Sequence, residues 1–198
     1  ADVDGDGMDE LLIGFSLFDH DGTELWSHDP LSDGDHLDDS VIADLDGDGH
    51  LEFALAHDGH DATLHNDDGS IRARIAMEHC QNVHAGRFLG DRDDLQLLLV
   101  DRQTPTGTRE VALVDPNGEE LCRHATIGYY VPVSWPTAVG PISFLRSERP
   151  PAPDGPHRMV WVDALGNELC RLMVRESFHD HIVTHGLDKE SYDRATYH

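Results

Sequence analysis

The chain has 198 residues, enough to bury a sizeable core, and it carries a formal net charge of −25. Aspartate supplies 28 of the 39 acidic residues, and a single lysine stands beside 13 arginines. Such a surface repels nucleic acid and anionic membranes, and no apolar run reaches the roughly 18 residues of a membrane span. We therefore expect neither a nucleic-acid partner nor membrane insertion.

The excess of aspartate over lysine is typical of proteins from salt-loving organisms, in which concentrated salt screens the repulsion between like charges. A GC-rich genome is the alternative explanation for the scarcity of lysine, although it does not account for the acidic residues. Residue 1 already belongs to a motif, so we expect this sequence to be a piece of a longer chain.

From its first unit onward the chain repeats a hairpin signature, in which an apolar strand, an Asx-Gly turn and a second strand follow one another. The four copies are FDHDGTELW (18–26), HNDDGSIRA (65–73), VDPNGEELC (114–122) and VDALGNELC (162–170). Their turn glycines, Gly22, Gly69, Gly118 and Gly166, are 47 to 49 residues apart. A period near 48 residues with three to four strands per unit is typical of propeller blades.

The sequence therefore predicts an all-β fold of about four β-propeller blades, as a fragment of a seven- or eight-bladed ring. The approximate blade boundaries are 1–37, 38–78, 79–127 and 128–175, and residues 176–198 are a tail or the degenerate start of a further blade. A β-sandwich is the alternative, but sandwiches seldom repeat one turn sequence so faithfully.

Two copies of an acidic DxDxDG loop precede apolar strands in the first and second units. The predicted calcium ligands stand at relative positions 1, 3, 5, 7 and 9, with position 7 contributing a carbonyl: Asp2, Asp4, Asp6, Met8 and Glu10, then Asp44, Asp46, Asp48, His50 and Glu52. An EF-hand is excluded because position 12, which should be glutamate, is Ile13 or Leu55 in a predicted strand. Acidic turns without metal remain the alternative.

The corresponding segments of the third and fourth units, GRFLGDRDD (86–94) and VSWPTAVG (133–140), lack this ligand set. We therefore expect about two calcium ions in this part of the chain. Because the loop supplies the ligands itself and leaves no obvious open position for a substrate, the predicted role of calcium is structural.

The order of the segments ADVDGDGMDELLIGFSLFDHDGTELWS, GDHLDDSVIADLDGDGHLEFALAHDG, EHCQNVHAGRF and LVDPNGEEL resembles bacterial and archaeal rhamnogalacturonan lyase-like propellers, of which the family 11 polysaccharide lyases are the best known. The acidic loops themselves resemble those of FG-GAP repeats. The resemblance covers roughly residues 1–175, and it implies an eight-bladed ring, several structural calcium ions and rhamnogalacturonan as the substrate.

A lyase of that kind performs β-elimination on a uronate, for which a base must remove the proton α to the carboxyl group. His36 and His79 are candidate bases, since each stands about eight residues before the acidic-loop position of its unit. Candidate substrate-binding residues are Gln81, His84, Tyr129, Tyr130 and Trp135. The alternatives are surface histidines in a His-rich protein and aromatic side chains that pack in the core.

The three cysteines form no CxxC pair, so a zinc or disulfide framework is not indicated. Cys122 and Cys170 occupy the position of Trp26 in the first hairpin, four residues after the turn glycine. We expect both to be small buried hydrophobic residues on strands.

Two functions remain open at this point. One is a lyase acting on a uronate-containing polysaccharide such as rhamnogalacturonan, with structural calcium. The other is a non-catalytic, calcium-stabilised propeller of the FG-GAP type that binds carbohydrate or protein at a cell surface.

Overall fold

The computed structural model describes residues 1–29, 35–58, 61–101, 109–126, 130–134, 136–148 and 158–173. These residues form fifteen β-strands in four antiparallel sheets and no helix, which confirms the predicted all-β class. None of them builds a helix of the length and apolar character needed to cross a membrane. Tyr129, Trp135 and the predicted tail at 176–198 lie outside the described residues.

The strands follow the chain in four groups. Sheet 1 comprises β1 (Leu11–Ile13), β2 (Ser16–Phe18) and β3 (Glu24–Ser27). Sheet 2 comprises β4 (Leu37–Ala43), β5 (Glu52–His57), β6 (Ala62–His65) and β7 (Ile71–Ile75). Sheet 3 comprises β8 (Cys80–Gly86), β9 (Gln96–Asp101), β10 (Arg109–Val114) and β11 (Glu120–Thr126). Sheet 4 comprises β12 (Tyr130–Val133), β13 (Ser143–Glu148), β14 (Arg158–Val162) and β15 (Glu168–Met173).

Every sheet is a meander in which each strand pairs with the next one along the chain. The repeated Asx-Gly motif forms the hairpin between the last two strands of each sheet, as the sequence predicts. In the second sheet, for example, the Gly69 N–H donates to the Asn66 carbonyl at 3.0 Å. A register shift accompanies the turn in all four hairpins, so the repeat is a repeat of geometry as well as of sequence.

The sheets pack face to face in chain order, because their central strands are apolar on both sides. Along β5, Phe53 and Leu55 pack toward sheet 1, whereas Ala54 and Ala56 join a cluster with sheet 3. Along β9, alternate residues likewise divide between sheet 2 and sheet 4. A short, continuous apolar run that alternates between two cores is what a strand buried on both faces requires.

The hairpin turn of each later sheet packs against an outer strand of the sheet before it. A Cβ added to Gly69 would lie 2.6 Å from Trp26, one on Gly118 would lie 2.4 Å from Ala73, and one on Gly166 would lie 2.6 Å from His124. No side chain fits at these distances, and all three glycines also have positive φ. Neighbouring sheets are therefore stacked with similar offsets from pair to pair.

One packing prediction is wrong in part. Cys80 is buried, Cys122 is half-buried, and Cys170 is exposed. Cys122 lies against the core shared by sheets 3 and 4. Cys170 holds the same position on β15, the last described strand, and no later sheet covers it among the described residues.

Candidate functional site

The two acidic loops have the same backbone geometry. The Asp2 carboxylate accepts hydrogen bonds from the N–H groups of Gly5 at 2.8 Å and Gly7 at 3.1 Å. The Asp44 carboxylate does the same with Gly47 at 2.7 Å and Gly49 at 3.1 Å. All four glycines have φ between 80° and 93°, the left-handed conformation that other residues rarely adopt. The glycines of the motif therefore let one carboxylate organise the whole loop.

This backbone brings the alternating carboxylates of each loop together. Oxygens of Asp2, Asp4 and Asp6 all lie within 4.8 Å of one another, and the same holds for Asp44, Asp46 and Asp48. Three carboxylates at this spacing repel one another unless a cation lies between them, and oxygen donors are the ligands that calcium prefers. The loops are therefore chemically suited to a hard divalent cation.

The last predicted ligand of each loop is a buried glutamate. Glu10 is 5% exposed and Glu52 is 1% exposed. In each loop the glutamate Oε2 accepts a hydrogen bond from the backbone N–H of the second loop residue, which is Val3 in the first loop and Leu45 in the second. Burial raises the pKa of the Glu52 carboxyl, while the Leu45 N–H and a nearby arginine oppose that rise. In the first loop, Glu10 Oε1 is buried and accepts no hydrogen bond within the described part of the chain.

The arginine beside the second loop is Arg72 on β7. Its Nη2 donates to Glu52 Oε1 at 2.9 Å, and its Nη1 donates to Asp46 Oδ2 at 3.0 Å. Asn66 Oδ1 and the Pro116 carbonyl hold the same guanidinium at 2.6 and 3.2 Å. A fixed positive charge therefore stands at the second loop, and sequence reasoning missed it because Arg72 is 20 residues from Glu52.

In the first loop, the hairpin turn of sheet 1 adds further ligand atoms instead. Asp19 groups with Asp4 and Glu10, and His20 groups with Asp6 and Glu10. His20 Nδ1 lies 2.7 Å from Asp19 Oδ1 and 3.4 Å from Asp6 Oδ2. The first loop is thus surrounded by more carboxylate oxygens and by no arginine among the described contacts.

The third unit replaces the buried glutamate by an amide. Gln96 stands opposite Gly86 in the ladder, as Glu52 stands opposite Ala43. Its Oε1 accepts hydrogen bonds from the N–H groups of Phe88 at 2.8 Å and Leu89 at 3.0 Å. In the fourth unit the same ladder position is Ser143, opposite Val133. The third unit therefore retains the backbone role of the glutamate without its charge, whereas the Ser143 hydroxyl accepts a hydrogen bond from Trp161 Nε1 at 2.7 Å.

The structure brings the two candidate bases, His36 and His79, into one cluster with Asp38 and Asp58. His36 Nε2 lies 3.2 Å from Asp38 Oδ1, and His36 Nδ1 lies 3.2 Å from Asp58 Oδ2. His79 Nε2 lies 3.0 Å from Asp38 Oδ2, and His79 Nδ1 lies 2.7 Å from Asp58 Oδ1. Every ring nitrogen of both histidines therefore contacts a carboxylate oxygen.

Strand pairing explains how three distant segments meet there. Leu37 on β4 pairs with His57 on β5, so His36 and Asp58 follow as neighbours at the strand ends, and the Asp58 N–H donates to the His36 carbonyl at 3.0 Å. Asp38 lies in the register shift between Leu37 and Asp39. Bulges of this kind aim an extra side chain out of the regular alternation.

His79 enters the cluster from the next sheet. The Asp101 carboxylate accepts hydrogen bonds from the backbone N–H groups of Glu78 at 3.0 Å and His79 at 2.8 Å. Sheets 2 and 3 also meet where Asp39 accepts a hydrogen bond from the Val83 N–H at 3.1 Å. Asp38, Asp58 and Asp101 were not predicted, because aspartates are too frequent in this sequence to carry a signal individually.

The other candidate substrate-binding residues that the structure describes do not belong to this cluster. Gln81 is half-buried at the register shift of β8, and His84 Nε2 lies 3.2 Å from the Tyr130 carbonyl oxygen. Tyr130 is 2% exposed, its ring packs against Phe144, and burial raises the pKa of its hydroxyl. The Tyr130 ring therefore has no exposed face on which a sugar could stack.

Comparison with known proteins adds no family to these observations. No protein-family model matches the chain, and a search of curated proteins finds no significant match.

Proposed function

We propose that the chain is a run of consecutive blades from a calcium-stabilised β-propeller that binds a uronate-containing polysaccharide at the His36–His79 cluster. Support for the propeller comes from four successive meanders that pack face to face in chain order. The hairpin-turn glycines contact the preceding sheet in the same way each time, so each sheet is displaced from the one before it by a similar amount, as in a ring of blades.

The donor set supports calcium in the acidic loops. In the first loop, Asp2, Asp4, Asp6 and Glu10 would hold the ion, and the partnerless Glu10 Oε1 is a buried oxygen that a cation would satisfy. In the second loop, Asp44, Asp46 and Asp48 would hold it beside Glu52. Bound calcium supplies positive charge, and the loop carboxylates then stiffen the connection into the following strand.

The observation that carries the polysaccharide proposal is the convergence of His36 and His79 from two sheets on the same pair of aspartates. The His36 side chain is 59% exposed and the His79 side chain is 19% exposed, so a polymer at the surface would contact His36 first. For β-elimination, a His36 nitrogen would take the proton α to the uronate carboxylate, and Asp38 and Asp58 would stabilise the resulting imidazolium.

The second candidate is a propeller that binds carbohydrate or protein without catalysis. It is favoured by the fact that no imidazole nitrogen of the cluster is free of a carboxylate contact, because a base needs an available lone pair. The net charge of −25 would repel an anionic polymer, and high salt screens that repulsion.

Both candidates are tested in concentrated salt with calcium. The chain is mixed with rhamnogalacturonan and, separately, with other uronate polysaccharides, and both polymer binding and the ultraviolet absorbance of the unsaturated product are measured. We expect His36→Gln to weaken binding and His28→Gln to leave it unchanged, since the described contacts of the His28 ring are with the Gly69 carbonyl and the rings of Trp26 and His65, away from the cluster.

A rise in absorbance that His36→Gln abolishes supports the lyase. Binding without any rise supports the non-catalytic module. No binding of any polymer, with an intact far-ultraviolet circular dichroism spectrum, would contradict the proposal.

A further inference from the structure

The four side chains of the His36–His79 cluster alternate in a closed ring. Going round it, His36 contacts Asp38, Asp38 contacts His79, His79 contacts Asp58, and Asp58 contacts His36, all at 2.7–3.2 Å. The ring joins two sheets. Its members have ligand chemistry unlike that of the acidic loops, because half of the donors are imidazole nitrogens.

We propose that this ring, formed by His36, Asp38, Asp58 and His79, is a binding site for a divalent transition metal of the zinc class, separate from the calcium loops. Two imidazoles and two carboxylates supply four protein ligands from three segments of chain. Zinc is bound by these donor types and is most often four-coordinate.

Proton counting gives the first argument. With both aspartates ionised, the four nitrogen–oxygen contacts can all be hydrogen bonds only when four N–H groups are present, that is, when both imidazoles are protonated on both nitrogens. Neutral imidazoles carry one N–H each, so two of the four contacts would press a nitrogen lone pair against a carboxylate oxygen. A metal ion removes this conflict, since it accepts lone pairs from both kinds of donor.

Two partnerless buried atoms give the second argument, which concerns the geometry of one of these four contacts. Asp38 Oδ2 and His79 Nε2 are both buried and lie 3.0 Å apart, yet neither makes a hydrogen bond with any described group. Their approach is close enough for a hydrogen bond but is not oriented as one. Leaving such atoms unsatisfied is costly, and a shared cation is a way to satisfy both.

The spacing also suits an ion of this size. With metal–ligand bonds of about 2.0–2.1 Å, tetrahedral geometry places neighbouring donor atoms about 3.3 Å apart. One donor atom each of Asp38, Asp58 and His79 lies within 4.8 Å of the other two, and His36 contacts both aspartates at 3.2 Å, so side-chain movements toward a common centre would admit the ion. The two carboxylates carry two negative charges, which a dication balances and a monovalent ion does not.

This inference does not depend on the proposed polysaccharide. If both hold, the imidazoles would be ligands of the ion and neither would be available as the base, which favours the non-catalytic candidate. Metal binding is measured with no polysaccharide present, so failure of one proposal does not imply failure of the other.

The test uses Co²⁺ as a spectroscopic probe. The chain is stripped with a chelator, returned to saturating calcium so that the acidic loops are filled, and titrated with Co²⁺. We expect one Co²⁺ per chain, with the intense visible absorption of a four-coordinate ion that Zn²⁺ then abolishes by displacement. His79→Gln and His36→Gln should each weaken Co²⁺ binding at least about tenfold, the smallest loss that follows even from outer-shell changes.

His28→Gln is the matched control and should bind Co²⁺ as the wild type does. Because His36 is mostly exposed, His36→Gln should fold normally, and its melting curve without transition metal checks this. The proposal is overturned if the wild type gives no visible absorption, if both cluster variants bind Co²⁺ with unchanged affinity, or if excess calcium displaces the probe.

Discussion

The two acidic loops share one sequence pattern and one backbone, but they differ in how their negative charge is balanced. The second loop has the guanidinium of Arg72 on Asp46 and Glu52. The first loop has no arginine at the corresponding place among the described contacts, and Glu10 Oε1 is buried without a partner. We therefore expect the stability of the first loop to depend on a bound cation more strongly than that of the second.

The difference comes from one position on the neighbouring hairpin. Arg72 stands three residues after the turn glycine Gly69, and the residue three after Gly22 is Leu25, which is 42% exposed. In the fourth hairpin the same position is Leu169. The charge balance of a loop is thus set by a strand that the loop motif does not include.

The third unit shows a different solution to the same problem. Gln96 fills the ladder position of the buried glutamate with a neutral amide, and Arg92 pairs with Asp94 inside the connecting segment at 2.8 Å. Hydrogen bonds to buried backbone N–H groups are kept, while the buried charge is removed. The buried carboxylate of the second loop is accompanied by Arg72, which agrees with the cost of an unpaired buried charge.

Calcium removal should give the largest effect. At about 100 to 1,000 times its dissociation constant, an ion that binds only the folded chain contributes about 3–4 kcal/mol to the free energy of unfolding. We expect a loss of that order when a calcium-selective chelator replaces calcium in chemical unfolding experiments. Magnesium at equal concentration is the control and should not restore stability, and an unchanged unfolding midpoint without calcium would contradict metal binding by either loop.

Replacing Arg72 should give the next largest effect, and only under one condition. Without calcium, Arg72→Leu leaves Glu52 and Asp46 uncompensated, and we expect a loss of about 2–3 kcal/mol in the free energy of unfolding, below the range for fully buried pairs because Arg72 is partly exposed. With calcium the loss should be smaller, since the ion can take over the charge.

Arg74→Leu on the same strand is the matched control, because Arg74 is exposed. If Arg72→Leu costs the same with and without calcium, then Arg72 and the ion do not share the second loop, and the comparison between the loops fails.

The sequence predicts the elements that local rules determine. The Asx-Gly hairpins, the apolar central strands and the geometry of the acidic loops each depend on residues within about a dozen positions, and glycine at positions such as Gly7 and Gly49 is readable because only glycine adopts their φ easily. His36 and His79 were also recognisable as residues in equivalent places of successive units.

The sequence does not predict what depends on sheet-to-sheet packing. Asp38 and Asp58 join the histidines through a register shift and a contact between sheets 2 and 3, and neither has a local sequence signal. Arg72 reaches the second loop across the sheet. Cys170 was expected to be buried because the repeat was extended to a strand whose outer face no described sheet covers.

Glu10→Gln and Glu52→Gln should change the free energy of unfolding in opposite directions when calcium is absent. In calcium, loss of a carboxylate ligand should weaken binding about tenfold, or about 1.4 kcal/mol. Without calcium, the amide removes a buried charge whose Oε1 has no partner among the described groups, so the variant should be at least as stable as the wild type. Glu52→Gln should be destabilising under both conditions because it removes one of the two carboxylates that pair with Arg72, and the buried one of the two. Chemical unfolding of both variants with and without calcium measures this, and identical behaviour would contradict the assigned difference.

Leu25→Arg should have the smallest effect and tests the comparison most directly, because it places an arginine at the position of Arg72 beside the first loop. We expect the stabilisation by calcium to fall by about 1 kcal/mol, since a partly exposed arginine near carboxylates competes with the ion. Leu169→Arg is the matched control: it has the same hairpin position, but its unit lacks the acidic loop. Thermal unfolding with and without calcium measures both variants. If calcium stabilised wild type and Leu25→Arg equally, an arginine at this hairpin position would not by itself balance the charge of the loop. The contacts of Arg72 with Asn66 and Pro116 would then also be needed to hold the guanidinium against the loop carboxylates.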